Sequence, residues 1–232
     1  MVGGGTRPVR SRPASGGPLV GAGRPALPTF GAPDPIRLTA TAPDFFHLAA
    51  GSRLWRIYFR GGRYPTRWNG FRFTGPSDKS RFDHHEKPAR QQERGILYCA
   101  SFIPTCVAEV FQRDRTIDRA AGEPWLVAFE TVRDIPLLNL TGQWPLRAWA
   151  SQEINDGPRV TARLWSRAFY TAYPTLAGMW YRSKMQGGTA VALYERALTA
   201  LPDVPVLHEA LASPRLFDSL RTVAHDLGYD LA

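Results

Sequence analysis

Residues 95–110 read GILYCASFIPTCVAEV, an apolar segment followed by a proline and an amphipathic one. The short apolar run at its start is typical of a buried strand, which we predict over residues 95–100. Pro104 suits the first turn of a helix. The apolar side of that helix would be formed by Cys106, Val107, Val110 and Phe111. Glu109 lies off this stripe, so the segment predicts a strand that leads directly into a helix carrying one acidic side chain.

The rest of the chain shows the same two patterns, short apolar segments typical of strands and amphipathic segments typical of helices. Further strands are predicted over residues 54–59, 125–130, 136–140, 176–183 and 189–194. Helices are predicted over residues 159–170 and from the cap at Ser213 to Gly228. Strands and helices interleave without a regular βαβ rhythm. We therefore expect an α+β fold rather than a doubly wound parallel sheet.

The first 35 residues differ in composition from the remainder. They contain Gly3-Gly4-Gly5, Gly16-Gly17 and six prolines before Asp34. Such a segment lacks the apolar surface that offsets the entropy of ordering, so we predict a disordered Gly/Pro/Arg-rich extension over residues 1–35. A start codon assigned too far upstream would give the same composition. Residues 36–232 are predicted to form one folded domain with a C-terminal helix.

The chain has a net charge of +9, and four arginines of the extension contribute to it. Without residues 1–33 the net charge is +5. A moderate excess of this kind favours an anionic ligand or an acidic partner over sequence-specific DNA binding. The two cysteines are too few for a disulfide framework, and no apolar run reaches the roughly 20 residues of a membrane-spanning helix. We expect a soluble, cytoplasmic protein.

Residues 60–94 are predicted to be a long polar loop, and loops of this length usually bind something. The loop carries Arg81, His84 and His85 among other basic residues, which makes it a candidate ligand-facing region. Two adjacent histidines in extended backbone point to opposite faces, and no second cluster supplies further ligands, so no metal site is predicted. The chain also lacks the G-x-G-x-x-G and G-x-S-x-G motifs of nucleotide-binding and hydrolase folds.

Five dispersed polar residues are candidates for a functional site: Arg56, Arg81, Tyr98, Glu109 and Ser183. A carboxylate beside an anomeric carbon stabilises a cationic sugar, and guanidinium forks match phosphate oxygens. Each residue also has an ordinary structural explanation. Glu109 and Arg81 would be solvated side chains and Arg56 one half of an ion pair, while Tyr98 would pack in the core and Ser183 would cap local backbone.

Taken in order, these residues resemble the RES domain family over about residues 52–195. The resemblance is carried by Trp55-Arg56, by Ser80-Arg81-Phe82-Asp83, by Ile96-Leu97-Tyr98, by Cys106-Val107-Ala108-Glu109-Val110 and by Tyr181-Arg182-Ser183 before a Gly-Gly turn. Two positions depart from the family pattern. Ile57 stands where several relatives have tyrosine, and Phe82-Asp83 replaces Trp-Asn, which puts details of substrate binding in doubt.

The resemblance implies an ADP-ribosyltransferase-like fold, with a split central β-sheet flanked by helices and a cleft for NAD+. Many RES proteins are toxins of bacterial toxin–antitoxin pairs that deplete NAD+ without a metal, by hydrolysis or phosphorolysis, and a helix-turn-helix antitoxin usually blocks their cleft. By this resemblance Arg56 and Arg81 would hold NAD+, Tyr98 would contact its nicotinamide side, Glu109 would be catalytic and Ser183 would complete the pocket. ADP-ribosylation of a protein, or a catalytically silent interaction domain, are the alternatives.

Overall fold

The computed structural model of the protein describes residues 30–232 together with Met1 and Gly3. Most of the extension predicted for residues 1–35 therefore lies outside the described residues. Within its described part, Phe30 packs against the apolar core, and the backbone carbonyl of Gly31 accepts a hydrogen bond from the Trp165 indole at 2.8 Å.

The strands are β1 (Phe45–Leu48), β2 (Arg53–Phe59), β3 (Arg72–Gly75), β4 (Arg90–Ala100), β5 (Thr116–Ile117), β6 (Pro124–Glu130), β7 (Ile135–Asn139), β8 (Gly178–Arg182), β9 (Thr189–Tyr194), β10 (Leu207–Ala210) and β11 (Asp230–Leu231). The α-helices are α1 (Pro35–Ala40), α2 (Ile103–Val110), α3 (Trp144–Arg147), α4 (Arg159–Ala172) and α5 (Phe217–Leu227). Short 3₁₀ helices cover Gln152–Ile154, Glu195–Ala200 and Pro214–Leu216. The mixture confirms the predicted α+β class.

The large sheet has the strand order β1-β7-β8-β9-β4-β2-β6-β10, and β3 pairs with β4 beside this path. Within it β7 and β8 run parallel, whereas the other pairs are antiparallel. Strands β5 and β11 form a separate parallel pair. No helix among the described residues is long and apolar enough to cross a membrane.

The centre of the large sheet is split between β2 and β4. These strands are in register only at Trp55 and Ala100, although β2 pairs with β6 along its whole length and β4 pairs with β9 from Ile96 to Ala100. The sheet therefore opens on one side of the Trp55–Ala100 pair. This agrees with the split central sheet expected from the sequence.

The helices pack against the sheet through the apolar stripes seen in their sequences. In α4 the buried residues are Ala162, Trp165, Ser166 and Phe169, which recur every three or four positions on one face. Helices α2 and α5 pack together on the sheet around Ile57, Leu126 and Leu220. Helix α5 ends at Gly228, whose φ of 64° is the left-handed conformation that favours glycine.

The segment 60–94 is less irregular than predicted. It contains β3, and β4 begins at Arg90 rather than at Gly95. The first half of β4 reads Arg-Gln-Gln-Glu-Arg and is largely exposed, because β3 lies beside it as a short strand outside the main path. Apolar and polar residues alternate in the sequence only where one face of a strand is buried. The exposed half of β4 shows no such pattern, so only its buried half is predictable. The short strands β1 and β10 were missed for the related reason that four residues give too brief a pattern.

Candidate functional site

A cavity of about 500 Å³ lies where β2 and β4 separate. It is bounded by β2, the end of β4, helix α2 and the segment that carries Arg81. Arg56, Arg81, Tyr98 and Glu109 all line it, although they are distant along the chain. The volume falls within the roughly 300–1,000 Å³ usual for small-molecule sites. The split in the sheet thus brings four of the five candidate residues to one cavity.

Arg56 crosses the split from β2. Its Nη1 donates to the backbone carbonyl of Tyr98 on β4 at 3.1 Å, and its buried Nε has no hydrogen-bond partner among the described residues. Burial lowers the pKa of the guanidinium from its ordinary value. No carboxylate lies within salt-bridge distance in the described part of the chain, so the ion-pair explanation of Arg56 is wrong. A half-buried guanidinium without a counter-ion favours an anionic ligand.

Arg81 is held by backbone contacts on the opposite wall. Its Nη1 donates to the carbonyl of Gly157 at 2.6 Å, and burial together with nearby Arg159 lowers its pKa. The neighbouring Phe82 is fully buried, its N–H donates to the Tyr98 hydroxyl at 3.2 Å, and its carbonyl accepts from Ser166 at 2.8 Å. The prediction of a solvated Arg81 on a flexible loop is therefore wrong, because the chain on its C-terminal side is anchored in the core.

Asp83, His84 and His85 are fully buried, which contradicts the prediction of ligand-facing histidines. The Asp83 carboxylate accepts from His85 Nδ1 at 2.5 Å, from Ser77 N at 2.5 Å and from Arg72 Nη2 at 2.8 Å. Burial alone raises the pKa of Asp83, but these hydrogen bonds and the Arg72 charge hold it well below its usual range. The carboxylate therefore fixes the backbone on both sides of Arg81.

Glu109 and Ser183 are joined by a hydrogen bond across the molecule. The Ser183 hydroxyl donates to Glu109 Oε1 at 2.6 Å, and the same oxygen of Ser183 accepts from Met185 N at 3.2 Å. Ser183 is buried and does not line the cavity, whereas Glu109 does. The β8–β9 turn approaches α2 so closely at Gly188 that any side chain there would collide with Thr105. Glycine at this position therefore permits the contact between Ser183 and Glu109.

Tyr98 and Tyr181 form aromatic walls of the cavity. Tyr98 accepts the Phe82 N–H, and Tyr181 packs edge-on against the Phe82 ring at 4.8 Å between centroids. Burial raises the pKa of both phenols, so both stay protonated. Tyr181 was not among the five candidate residues, although it belongs to the Tyr181-Arg182-Ser183 motif.

The charged side chains that line the cavity are cationic except for one carboxylate. Five cationic side chains line it: Arg56, Lys79, Arg81, Arg159 and Lys184. Glu109 is the one carboxylate among the lining residues. Lys79, Arg159 and Lys184 are exposed and lie at the mouth, so no sequence pattern distinguishes them from ordinary surface charges. Cys99 and Cys106 also line the cavity, but burial raises their pKa values to about 12 and keeps them as thiols.

No group of three or more histidine, cysteine, aspartate or glutamate side chains within the described residues has the geometry to hold a metal ion. Both cysteines are unpaired thiols in the structure. The chemistry available in the cavity is thus that of guanidinium groups, a carboxylate and phenols.

The chain thus has an α+β fold with a split sheet and a cationic cavity around one glutamate. The family model described as the RES domain matches residues 53–215. The chain therefore belongs to the RES domain family, as the order of its motifs indicated.

Among solved structures, the fold is similar to a chain in the crystal structure of the M. tuberculosis MbcT–MbcA toxin–antitoxin complex. The TM-score is 0.49 at 14% sequence identity, over 81% of this chain and 96% of that chain. No curated protein sequence shows significant similarity to the chain.

Proposed function

We propose that the protein is a RES-domain toxin that cleaves the nicotinamide–ribose bond of NAD+. The observation that carries the proposal is the convergence of Glu109 with Arg56 and Arg81 on one cavity. Two guanidinium groups suit a pyrophosphate, and a single carboxylate suits a sugar that becomes cationic as its substituent departs. Membership of the RES family supports the same substrate.

The proposed reaction needs little covalent chemistry from the protein. The bond between the ribose C1′ and the nicotinamide nitrogen breaks, and its electron pair stays on nicotinamide, which leaves neutral. Glu109 stabilises the positive charge that develops on the ribose, and its hydrogen bond to Ser183 fixes the carboxylate in place. An acceptor oxygen then forms a bond to C1′, and the proton that a water or hydroxyl acceptor releases passes to solvent. Arg56 and Arg81 would hold the pyrophosphate and orient C1′ toward Glu109.

The acceptor is water or inorganic phosphate in this proposal, which makes the reaction hydrolysis or phosphorolysis. Transfer to a protein side chain uses the same residues and differs only in the third reactant. These reactions are separated by their products, which are ADP-ribose, ADP-ribose with a phosphate on the carbon that nicotinamide has left, or an ADP-ribosylated protein.

The test is release of nicotinamide from NAD+ by the purified protein, compared with Glu109→Gln. Glutamine keeps the size of the side chain and an acceptor for Ser183 but removes the charge, so we expect a loss of turnover of about a hundredfold or more. Glu93→Gln, which removes an exposed carboxylate on β4, is the matched control and should retain full activity. Mass analysis of the products in phosphate and phosphate-free buffer identifies the acceptor.

Equal activity of Glu109→Gln and the unaltered protein would contradict the assignment of Glu109. Absence of nicotinamide release from the folded protein, with no labelled protein acceptor either, would support a catalytically silent interaction domain instead.

The proposal includes a protein partner that inhibits the toxin by covering the cleft. The exposed cations at the mouth, Lys79, Arg159 and Lys184, are suited to an acidic segment of such a partner. The family resemblance points to a helix-turn-helix antitoxin. A small helix-turn-helix gene immediately upstream would favour this proposal. Co-expression of such a partner should relieve toxicity, and reversing the charge of these three residues should weaken the complex.

A further inference from the structure

A second, smaller cavity of about 280 Å³ continues from the first along β2. The two cavities share Tyr58 and Thr66 in their linings. The remaining walls of the smaller cavity are formed by Arg60, Arg67, Trp68 and Asn69. Its lining thus contains two more cations, an aromatic ring and an amide, and no carboxylate.

Arg60 is held in place without a counter-ion. Its Nε donates to the Tyr58 hydroxyl at 2.9 Å, its Nη2 lies 3.3 Å from His208 Nε2, and its guanidinium carbon lies 3.6 Å above the Trp125 ring. Its Nη1 makes no hydrogen bond within the described residues. The nearby Glu123 side chain lies against Gly61 and forms no ion pair with Arg60. A guanidinium that is oriented by neutral groups and keeps free donors is prepared for an anion.

The side chains that orient Arg60 also contact each other. The Tyr58 hydroxyl lies 2.5 Å from His208 Nε2, so it donates to the histidine while it accepts from Arg60. Partial burial, followed by the Arg60 charge, lowers the pKa of His208 and keeps its ring uncharged. The positive charge of Arg60 is therefore neither cancelled nor reinforced by its immediate neighbours.

Arg60 lies some distance along the chain direction of β2 from Arg56. Arg56 and Arg60 are four residues apart, which is about 13 Å in an extended strand. The Arg56 guanidinium reaches to Tyr98 on β4, whereas the Arg60 guanidinium lies over Trp125 on β6, on the other side of β2. Because the two groups diverge, one pyrophosphate, whose phosphorus atoms share a bridging oxygen, does not contact both. A ligand that engages both needs a second phosphate at about the distance of a nucleoside from the first. Trp68, half-buried against Phe129, supplies an aromatic surface for the base of that nucleoside.

We infer that the smaller cavity is a subsite for a phosphate on the adenosine half of the dinucleotide, so that NADP+ is bound in preference to NAD+. The inference rests on the proposed function, because it assumes that NAD+ chemistry takes place at Glu109 and that the pyrophosphate lies at Arg56. An arginine beside the adenosine ribose is a general means of accommodating a 2′-phosphate. Free inorganic phosphate is the other source of the same group.

The test is the dissociation constant of NADP+ and of NAD+, measured by calorimetry with the cleavage-impaired Glu109→Gln protein. One charge-assisted arginine–phosphate contact predicts about tenfold tighter binding of NADP+. Adding Arg60→Ala should abolish this preference and leave the affinity for NAD+ within about twofold. Arg67→Ala is a second variant with the same expectation, and it removes no contact with Tyr58 or Trp125. Arg133→Ala, which removes an exposed positive charge elsewhere, should keep the preference.

Equal affinity for the two dinucleotides, or a preference unaffected by both Arg60→Ala and Arg67→Ala, would overturn the inference and leave the proposed function intact. Failure of both dinucleotides to bind would instead overturn the proposed function. Titration of inorganic phosphate into the NAD+ complex tells whether the subsite takes the phosphate of a dinucleotide or free phosphate. Phosphate that binds beside NAD+ and is lost in Arg60→Ala would assign the subsite to free phosphate, contrary to the inference.

Discussion

The contact between Ser183 and Glu109 joins residues 74 positions apart in the sequence. A glutamate on an exposed helix face has several rotamers, and each rotamer places the carboxylate differently. A hydrogen bond of 2.6 Å to a buried hydroxyl selects one of them, so the charge is already placed before a substrate arrives. Ser183 is thus a positioning residue in the proposed mechanism, acting through Glu109.

Replacement of Ser183 by alanine should lower turnover without abolishing it. The variant removes the donor to Glu109 and leaves the carboxylate charge, so we expect a loss of about tenfold in kcat with little change in KM. Nicotinamide release measures this effect, and thermal unfolding checks that the fold is retained. Ser183→Thr, which restores a hydroxyl, should recover part of the activity. A loss confined to KM would contradict a role through Glu109.

Single residues also show how far a sequence predicts a site. Arg56 became a candidate because it breaks the apolar pattern of β2, whereas Glu109 lies off the apolar stripe of α2 and became one through the family resemblance. Lys79, Arg159 and Lys184 were not, because an exposed cation near a cavity has the same local sequence as one elsewhere on the surface. The Ser183–Glu109 contact depends on the approach of a turn to a helix, and no spacing in the chain specifies that approach.

The segment between β3 and β4 is ordered by Asp83, which this chain has where the family often has asparagine. Its carboxylate takes part in hydrogen bonds with Ser77, Arg72 and His85 and is completely buried. Asparagine keeps the shape but loses the charge that pairs with Arg72. Replacing Asp83 by asparagine therefore separates the contribution of the charge from the contribution of side-chain packing.

Asp83→Asn should lower the free energy of unfolding by about 3 kcal/mol, because it leaves Arg72 and the His85 ring without their charged partner. Urea denaturation measures the change. Asp78→Asn alters an exposed carboxyl in the same segment and should have an effect below about 0.5 kcal/mol. A similar small effect for Asp83→Asn would show that the buried carboxylate does not stabilise the segment.

This segment is also where the prediction from sequence failed. Its basic and polar composition predicts a solvent-exposed loop, yet residues 82–85 are buried against α4 and β9. Buried polar side chains form hydrogen bonds with partners that are distant in the sequence or lie in irregular backbone. Polar composition alone therefore predicts exposure where the side chains are in fact buried. The helices α4 and α5 and the strands of the apolar core were predictable, since their periodicity reports burial directly.

The folded molecule buries His84 with a lowered pKa, which links its stability to pH. His84 is enclosed by Tyr170 and Tyr194, and burial lowers its pKa from 6.5 to about 4, against the opposing influence of Glu195. Its Nε2 lies 3.4 Å from a Glu195 oxygen without hydrogen-bond geometry. Burial raises the pKa of Glu195, but contacts with His84, Tyr170 and Gly95 lower it to about 2 overall.

These shifts predict that unfolding becomes easier as the pH falls below 6.5. Between pH 6.5 and about 4 the unfolded chain binds a proton at His84 that the folded protein does not, which removes about 3 kcal/mol of stability. From pH 4.5 to about 2 the stabilisation from the ionised Glu195 is lost in the same direction. Urea denaturation over this range measures both losses.

His84→Phe should flatten the first part of this pH dependence and reduce the second, because contact with His84 is one of the causes that lower the Glu195 pKa. Phenylalanine fits between the two tyrosines and does not titrate. His225→Phe alters an exposed histidine with 88% side-chain accessibility and should keep the slope of the unaltered protein. An unchanged slope in His84→Phe would show that this histidine does not account for the loss of stability.

The central claim is that one NAD+ molecule lies in the split between β2 and β4. A crystal structure of Glu109→Gln with NAD+ tests it most directly. The account predicts the ribose C1′ beside residue 109 and the pyrophosphate within hydrogen-bond distance of Arg56 and Arg81. NAD+ bound at another surface, with the cavity between these residues empty, would contradict it.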